Sequence, residues 1–384
     1  MKKIKVLSIF GTRPEAIKMA PLVKKLETCE KIQSIVCVTA QHREMLDQVL
    51  ELFNIIPDYD LNIMQDRQTI TGVTTKVLNG LEKVIVKEKP DIVLVHGDTT
   101  TTFAGALAAF YHQIKVGHVE AGLRSGNIYS PYPEEMNRCL TGRLSNLHFA
   151  PTIRNKQNLL KENINENNIV VTGNTVIDAL LSVIDKNYKF EDKNVNNMDF
   201  KNKKVILLTS HRRENLGKPM ESIFNAVKRI VDQNKDVEVI FPVHLNPKVR
   251  DIVNSILKDV ERIHLIEPLD YKPFANLIAK SYLVMTDSGG IQEEAPSLGK
   301  PVVVLRTETE RPEAVEAGTV KVVGVKENDI FETVNELLNN EEEYEKMANA
   351  VNPYGDGKAS DRIVDAILYY FGIEKSKVQE FNVY

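Results

Sequence analysis

The sequence predicts an α/β protein built from two doubly wound domains, and three observations carry that expectation. Short Val/Ile/Leu-rich runs alternate with helix-length segments almost from end to end. Most of these runs are continuously apolar rather than alternating, which is how strands covered on both faces read. The chain is also 384 residues long, enough for about two domains at roughly 100–200 residues each. Strand–helix alternation of this kind builds a parallel sheet with helices on both sides.

In the first half, strands are expected at 4–10, 34–39, 91–96, 116–120, 147–150 and 169–172, with helices such as 68–86 and 101–112 between them. The second half repeats the pattern with strands at 204–209, 237–243, 262–266, 282–286, 301–305 and 320–323, and a helix at 220–233. The stretch 185–203 is rich in Asn, Lys and Asp. Its composition reads as an exposed loop that buries no core. Domains are expected at 1–175 and 176–357.

Composition narrows the function classes. The chain carries 49 Lys+Arg against 53 Asp+Glu, a net charge of −4, so the basic stripe of a nucleic-acid binder is not expected. No apolar run approaches the ~20 residues of a membrane span. The N-terminus has basic residues but runs straight into a strand, without the apolar region of a signal peptide. Cys29, Cys37 and Cys139 are odd in number and widely spaced, which suits a reduced, cytoplasmic compartment.

Ligands of doubly wound sheets bind outside the carboxyl ends of the strands. The first strand runs into Gly11-Thr12-Arg13-Pro14-Glu15-Ala16-Ile17-Lys18. Gly11 permits a tight turn and Pro14 suits the first helical turn. Arg13 and Lys18 either face an anion at the helix N-terminus or are solvated. Pro21 is expected to kink this helix or to start a second one. Asp98, in His96-Gly97-Asp98-Thr99, is either an N-cap or an active carboxylate. Glu120 ends a later strand, and Glu134 with Glu135 opens a helix after Tyr132-Pro133. Acids are favourable in a first turn for structural reasons alone. Asp98, Glu120 and Glu134 nevertheless map to one sheet edge, and close carboxylates push one another's pKa values apart, supplying both an acid and a base.

In the second half, Ser210-His211-Arg212-Arg213 follows a strand as an anion-facing group or as surface charge. Thr286-Asp287-Ser288-Gly289-Gly290, after another strand and before a helix, is the strongest local signal. Backbone N–H groups of Ser288, Gly289 and Gly290 can approach a diphosphate closely there, although a plain structural turn has the same pattern. Arg306 and Arg311 follow the next strand and are candidates for the same ligand. There is no Walker A sequence and no G-x-G-x-x-G after a strand, which disfavours ATP hydrolysis and the usual NAD site. The eight His and three Cys show no metal-ligand spacing, and His42, His112, His118, His148, His244 and His264 read singly as structural. The residues alone reach an α/β enzyme or binding protein for a phosphorylated, nucleotide-linked ligand.

Eleven motifs in order make the chain recognisable: GTRPEAIKMAP from Gly11, TAQHREMLDQV from Thr39, HGDTTTT from His96, GHVEAGLR from Gly117, YSPYPEEMNR from Tyr129, TGNTVIDAL from Thr172, SHRREN from Ser210, PVHLNP from Pro242, TDSGGIQEEAPSLGKPV from Thr286, TERPEAVEAGT from Thr309 and NPYGDGKAS from Asn352. The chain resembles the non-hydrolysing UDP-N-acetylglucosamine 2-epimerase family over nearly its whole length. The resemblance implies a glycosyltransferase-B-like fold, two Rossmann-like domains facing across a cleft, with the C-terminal segment 358–384 packing back on the first. It implies interconversion of UDP-GlcNAc and UDP-ManNAc through a 2-acetamidoglucal intermediate, without a metal or nicotinamide cofactor. A homodimer is the family's habit.

By resemblance, Asp98, Glu120 and Glu134 are the acid/base carboxylates and His211 is a further active-site residue. Arg13, Lys18 and the Ser288-Gly289-Gly290 turn hold the diphosphate, Phe274 lies beside the uracil, Glu294 binds the ribose, and Arg311 lies near the phosphates or sugar. Gln41, Arg67, Arg212 and His244 match an allosteric UDP-GlcNAc site. The chain departs from the family at Leu269, where a uracil-adjacent Gln is usual, and at Glu44, where some relatives have Gln. A hydrolysing epimerase, a glycosyltransferase of the same fold and a nucleotide-sugar sensor are the rival readings.

Overall fold

A computed structural model describes residues 3–40, 43–64 and 68–382. It divides into two compact units, one of residues 1–182 with 354–384 and the other of residues 183–353. Among the described residues, no helix is long and apolar enough to cross a membrane.

The first unit holds strands β1 (Ile4–Phe10), β2 (Ile32–Val38), β3 (Tyr59–Asp60), β4 (Ile92–His96), β5 (Lys115–Val119), β6 (Leu147–Ala150) and β7 (Ile169–Val171). They form one sheet in the order β3-β2-β1-β4-β5-β6-β7, with every pairing parallel. All strands anticipated from the apolar runs are present within two residues at their ends. The two-residue β3 is too short to leave a pattern. Helices cover both faces, so Leu7, Ile9, Val93 and Val95 are fully buried. Continuous burial is why these strands are continuously apolar.

The chain returns to this unit at its C-terminal end. Helix Ala359–Tyr370 packs on helix Arg13–Thr28, and Phe381 donates its backbone N–H to Val171 O at 2.8 Å. Buried Asp178 caps helix Ala359–Tyr370 from another element, accepting from Ala359 N at 3.2 Å and Ser360 N at 2.8 Å.

The second unit holds β8 (Lys204–Thr209), β9 (Val237–Pro242), β10 (Ile263–Ile266), β11 (Leu283–Thr286), β12 (Val302–Val304) and β13 (Val320–Val322). Their order is β10-β9-β8-β11-β12-β13, again all parallel. Its core joins Ile206, Leu208 and Met285 of the sheet to Phe224, Val227 and Ile230 of helix Lys218–Gln233.

In both sheets the order in which strands are added reverses at the centre, between β1 and β4 in one and between β8 and β11 in the other. At such a switch point neighbouring loops leave to opposite faces and open a crevice. This is the feature of the fold that positions the candidate residues.

One expectation is corrected and one is narrowed. Residues 185–203 are not uniformly exposed: Phe190 and Val195 are buried, and Asp192 caps a short helix, Lys193–Asn196. The cause is a sparse aromatic anchor that average composition conceals. Tyr188 packs edge-on to Phe190 at 5.1 Å, and Lys280 lies over the rings of Phe190 and Phe200. Pro21 lies inside the single helix Arg13–Thr28, so it does not start a second one. Burial of Ile17, Ala20, Leu22, Val23 and Leu26 outweighs the one backbone hydrogen bond the proline removes.

Candidate active site

In the first unit, the loops after β1, β4, β5 and β7 bring distant residues to one edge. Gly11 lies where a Cβ would fall 1.9 Å from Thr39 Oγ1, so only glycine lets the β1 loop cross there. Glu15 is buried and ties two loops together. Its Oε2 accepts from Gly11 N (3.1 Å), Thr12 N (2.8 Å) and Thr12 Oγ1 (2.7 Å). Its Oε1 accepts from Thr99 Oγ1 (2.7 Å) and Thr102 Oγ1 (3.1 Å). Burial raises its pKa, opposed by these bonds. The T-x-x-E spacing of a capping box is the sequence signal for this residue.

The N-cap of helix Thr100–Tyr111 is Thr99, which accepts from Thr102 N at 3.1 Å. Asp98 is therefore not a cap, and its carboxylate is left for other work. Arg138 Nη2 lies 2.5 Å from Asp98 Oδ2, and Asn137 Nδ2 donates to Asp98 O at 2.9 Å. Both come from helix Glu134–Leu144, which opens with Glu134. The half-buried Glu134 therefore starts the helix that clamps Asp98. Its neighbour Glu135 is structural: buried, it accepts from Ser125 N and Gly126 N, both at 3.0 Å, and from Arg138 Nη1 at 2.9 Å.

Glu120 follows β5 with a φ of +61°, a conformation disfavoured for a non-glycine residue. Its carboxylate forms an ion pair with Lys18 and accepts from Asn174 Nδ2 at 3.1 Å. A Cβ on Gly97 would lie 3.8 Å from Glu120 Oε1, so this carboxylate sits against the residue preceding Asp98. His96 Nε2 is 3.6 Å from Glu120 Oε2. Burial pushes His96 down to about 4, outweighing the opposite pull of Glu120, so a neutral imidazole backs the carboxylate at neutral pH. Asp98, Glu120 and Lys18 are thus grouped, and Glu134 heads the helix that holds Asp98. Arg13 is half-buried in the first turn of its helix, with no ion-pair partner among the described residues.

In the second unit, the loops after β8 and β11 meet. Buried Asp287 accepts from the backbone N–H groups of His211 and Arg212, both at 2.9 Å, and Arg212 Nε donates to Asp287 O at 3.0 Å. The ring of His211 stacks on that of His244 at 5.3 Å with an 11° interplanar angle. Burial, then the neighbouring His211, holds His244 below its ordinary pKa, with Asp287 opposing. A Cβ on Gly289 would lie 3.8 Å from Arg212 Nη2, so the guanidinium borders the Ser288-Gly289-Gly290 turn. The helix after that turn, Ile291–Glu294, is only four residues long before it tightens into a 3₁₀ turn.

Glu294 accepts from Tyr271 Oη at 3.0 Å, and Phe274 lies half-buried on the same helix as Tyr271, Tyr271–Lys280. Arg311 pairs with Glu293. Arg306 is engaged by Glu214 at 2.9 Å and Glu310 at 3.8 Å. Gln41 and Arg67 lie outside the described residues, as does His42; Arg212 and His244 lie in the second unit as given above. Among the described residues, no group of three His, Cys, Asp or Glu is arranged to hold a metal ion. Sequence reasoning missed Asn174, Arg138 and Asp287, whose partners are remote along the chain and leave no local pattern.

Two parallel sheets with charged side chains gathered at their switch points define a doubly wound α/β protein of the two-domain Rossmann-like class. Residues 24–368 match the family model described as UDP-N-acetylglucosamine 2-epimerase. A UDP-N-acetylglucosamine 2-epimerase of Bacillus subtilis is 58% identical over 382 residues, covering 100% of both chains. One from Escherichia coli K12 is 56% identical over 95% of this chain and 98% of its own. The crystal structure of the Neisseria meningitidis UDP-GlcNAc 2-epimerase bound to UDP-GlcNAc superposes with a TM-score of 0.84, at 53% identity over 95% of this chain and 100% of that one. The chain belongs to the UDP-N-acetylglucosamine 2-epimerase family.

Proposed function

We propose that this protein interconverts UDP-GlcNAc and UDP-ManNAc by inverting C2 of the sugar. The observation that supports the proposal is that Asp98 and Glu120 come to one sheet edge while Glu134 heads the helix that holds Asp98, in a chain of this family. The C2–H is not adjacent to a ring carbonyl, so its removal needs help. Loosening the C1–O bond builds positive charge at the anomeric centre, which acidifies C2–H and is stabilised by nearby carboxylates. Loss of the C2 proton and departure of UDP give 2-acetamidoglucal. UDP then returns to C1 while a proton reaches the opposite face of C2. The three carboxylates, with His211 as a further active-site residue, are assigned the acid/base chemistry. Arg13, Lys18 and the Ser288-Gly289-Gly290 turn are assigned to the diphosphate, Arg311 to the phosphates or sugar, and Phe274 and Glu294 to the uridine. The ion pair of Lys18 with Glu120 supports a second role for Lys18 in holding that carboxylate.

Gln41, Arg67, Arg212 and His244 are proposed as an activating second UDP-GlcNAc site on family grounds. A cytoplasmic homodimer completes the proposal. Its support is the three free thiols, suited to a reducing compartment, and the exposed Val86, Phe110 and Tyr111 near the ends of two neighbouring helices.

The test is proton NMR of the purified protein with UDP-GlcNAc in D2O, with no metal or nicotinamide added. Deuterium at C2 of a UDP-GlcNAc/UDP-ManNAc mixture is the expected result. Free ManNAc and UDP as lasting products would replace the proposal with hydrolysis, and an unchanged spectrum with binding confirmed would replace it with transfer or sensing.

A further inference from the structure

Asp287 is fully buried, and its two carboxylate oxygens are in different situations. Oδ2 accepts from Ser210 Oγ (3.2 Å), His211 N (2.9 Å), Arg212 N (2.9 Å) and Asn215 Nδ2 (3.1 Å). That oxygen pins the whole Ser210–Asn215 loop to the end of β11. Oδ1 is equally buried but has no hydrogen-bond partner among the described residues. It faces Nδ1 of His211 at 3.4 Å. A buried carboxylate oxygen without a donor is costly, and in a native structure such an atom calls for a specific explanation.

The imidazole can relieve that cost only by donating from Nδ1. A neutral ring carries its proton on one nitrogen, and the hydrogen bond made by one nitrogen sets the role of the other. Stacking on His244 restrains the ring, and His244 is itself oriented by accepting from Asn246 N at 3.0 Å through Nδ1. An Nδ1–H on His211 gives Oδ1 its missing donor and leaves Nε2 with the free lone pair.

We infer that Asp287 is a positioning residue that holds His211 in the Nδ1–H tautomer, so that Nε2 is the atom that takes up or delivers a proton at the diphosphate-bearing ligand. The backbone of Asp287 leads directly into Ser288-Gly289-Gly290, so one residue sets both the tautomer and the turn. The catalytic consequence rests on the function proposed above; the tautomer assignment does not.

Asp287→Asn separates the two oxygens. The amide oxygen can replace Oδ2 in anchoring the loop, while the NH2 group faces His211 Nδ1 and makes that nitrogen an acceptor, inverting the tautomer. Long-range proton–nitrogen NMR on the full-length protein with 15N-labelled histidine, assigned with His211→Gln, reads the state directly. The expected result is Nδ1–H for neutral His211 in the wild type and Nε2–H in Asp287→Asn. Turnover should fall by about 10²–10⁴-fold with KM and UDP affinity within about threefold, and Asp287→Asn/His211→Gln should be no slower than His211→Gln, as for residues acting as a unit. An Nε2–H tautomer in the wild type overturns the inference, even if Asp287→Asn fails to fold. So does a further loss of turnover in the double variant. A protein with the expected tautomer and no epimerase turnover would overturn the proposed reaction and leave the tautomer assignment standing.

Discussion

The side-chain amide of Asn174 donates to Oε2 of Glu120 across 3.1 Å, joining residues 54 positions apart. Asn174 is itself held from both sides: its backbone N–H donates to Tyr354 O at 2.6 Å, and its Oδ1 accepts from Val176 N at 3.1 Å. The returning C-terminal segment thus orients a candidate catalytic carboxylate through one buried asparagine. A hydrogen bond to a charged group is worth about 1.5–3 kcal/mol, and about 1.4 kcal/mol corresponds to tenfold in rate. Asn174→Ala should lower kcat by about tenfold or more, and Asn174→Asp should do worse by setting a like charge against Glu120. Wild-type kcat in the alanine variant would remove Asn174 from this role.

Asp98→Asn, Glu120→Gln and Glu134→Gln should each reduce turnover by about 10²–10⁴-fold, the span of general acid–base catalysis. Their effects on stability should differ. Asp98→Asn breaks the ion pair with Arg138 and Glu120→Gln breaks the one with Lys18, whereas Glu134 makes no ion pair among the described residues. Thermal melts alongside steady-state rates separate the two effects, and a variant turning over near the wild-type rate does not belong to the acid/base set.

Three buried histidines on adjacent strands make the fold sensitive to acid. Burial, the largest cause in each case, pushes His96 to about 4, His118 to about 3 and His148 to about 4. Unfolded histidine titrates near 6.5, so between about pH 6.5 and 4 the unfolded chain binds more protons than the folded one. Stability therefore falls as pH is lowered through that window. Buried Glu15 and Asp178, whose pKa values burial raises, act with the opposite sign over a higher part of the carboxylate range. The net expectation is a Tm that declines from pH 7 to pH 5. A melting temperature flat across that interval would contradict the neutral state of these rings.

Gly122 has a φ of +92°, and a Cβ there would lie 2.3 Å from the backbone oxygen of Asn155. Backbone cannot yield as a flexible side chain does. Gly122→Ala should cost more than the roughly 1–3 kcal/mol of a strained conformation alone. Gly318, with a φ of +76° and nothing within 4 Å of its Cβ position, is the control that carries only the conformational cost. Chemical denaturation of both variants tests this, and equal losses would show that the Asn155 contact is unimportant.

Whatever depends on local periodicity and on ordered motifs can be read along the chain. Strands buried on both faces must be apolar at every position, so β1, β6 and β8 were legible to the residue. Asp98 and Glu120 in one unit, and His211 with the Ser288-Gly289-Gly290 turn in the other, could be placed from sequence because a parallel sheet gathers its strand ends at one edge. The tertiary structure alone decided how those groups are held. Arg138 on Asp98, Asn174 and Lys18 on Glu120, and Asp287 beneath His211 are each separated from their partner by 40 to 102 positions. Such pairs have no period and no spacing, because what brings them together is the order of strands in the sheet. The same is true of Phe190 and Val195, which find burial in a stretch whose composition reads as loop. Lys280, which lies over Phe190, is reached only when the chain folds back.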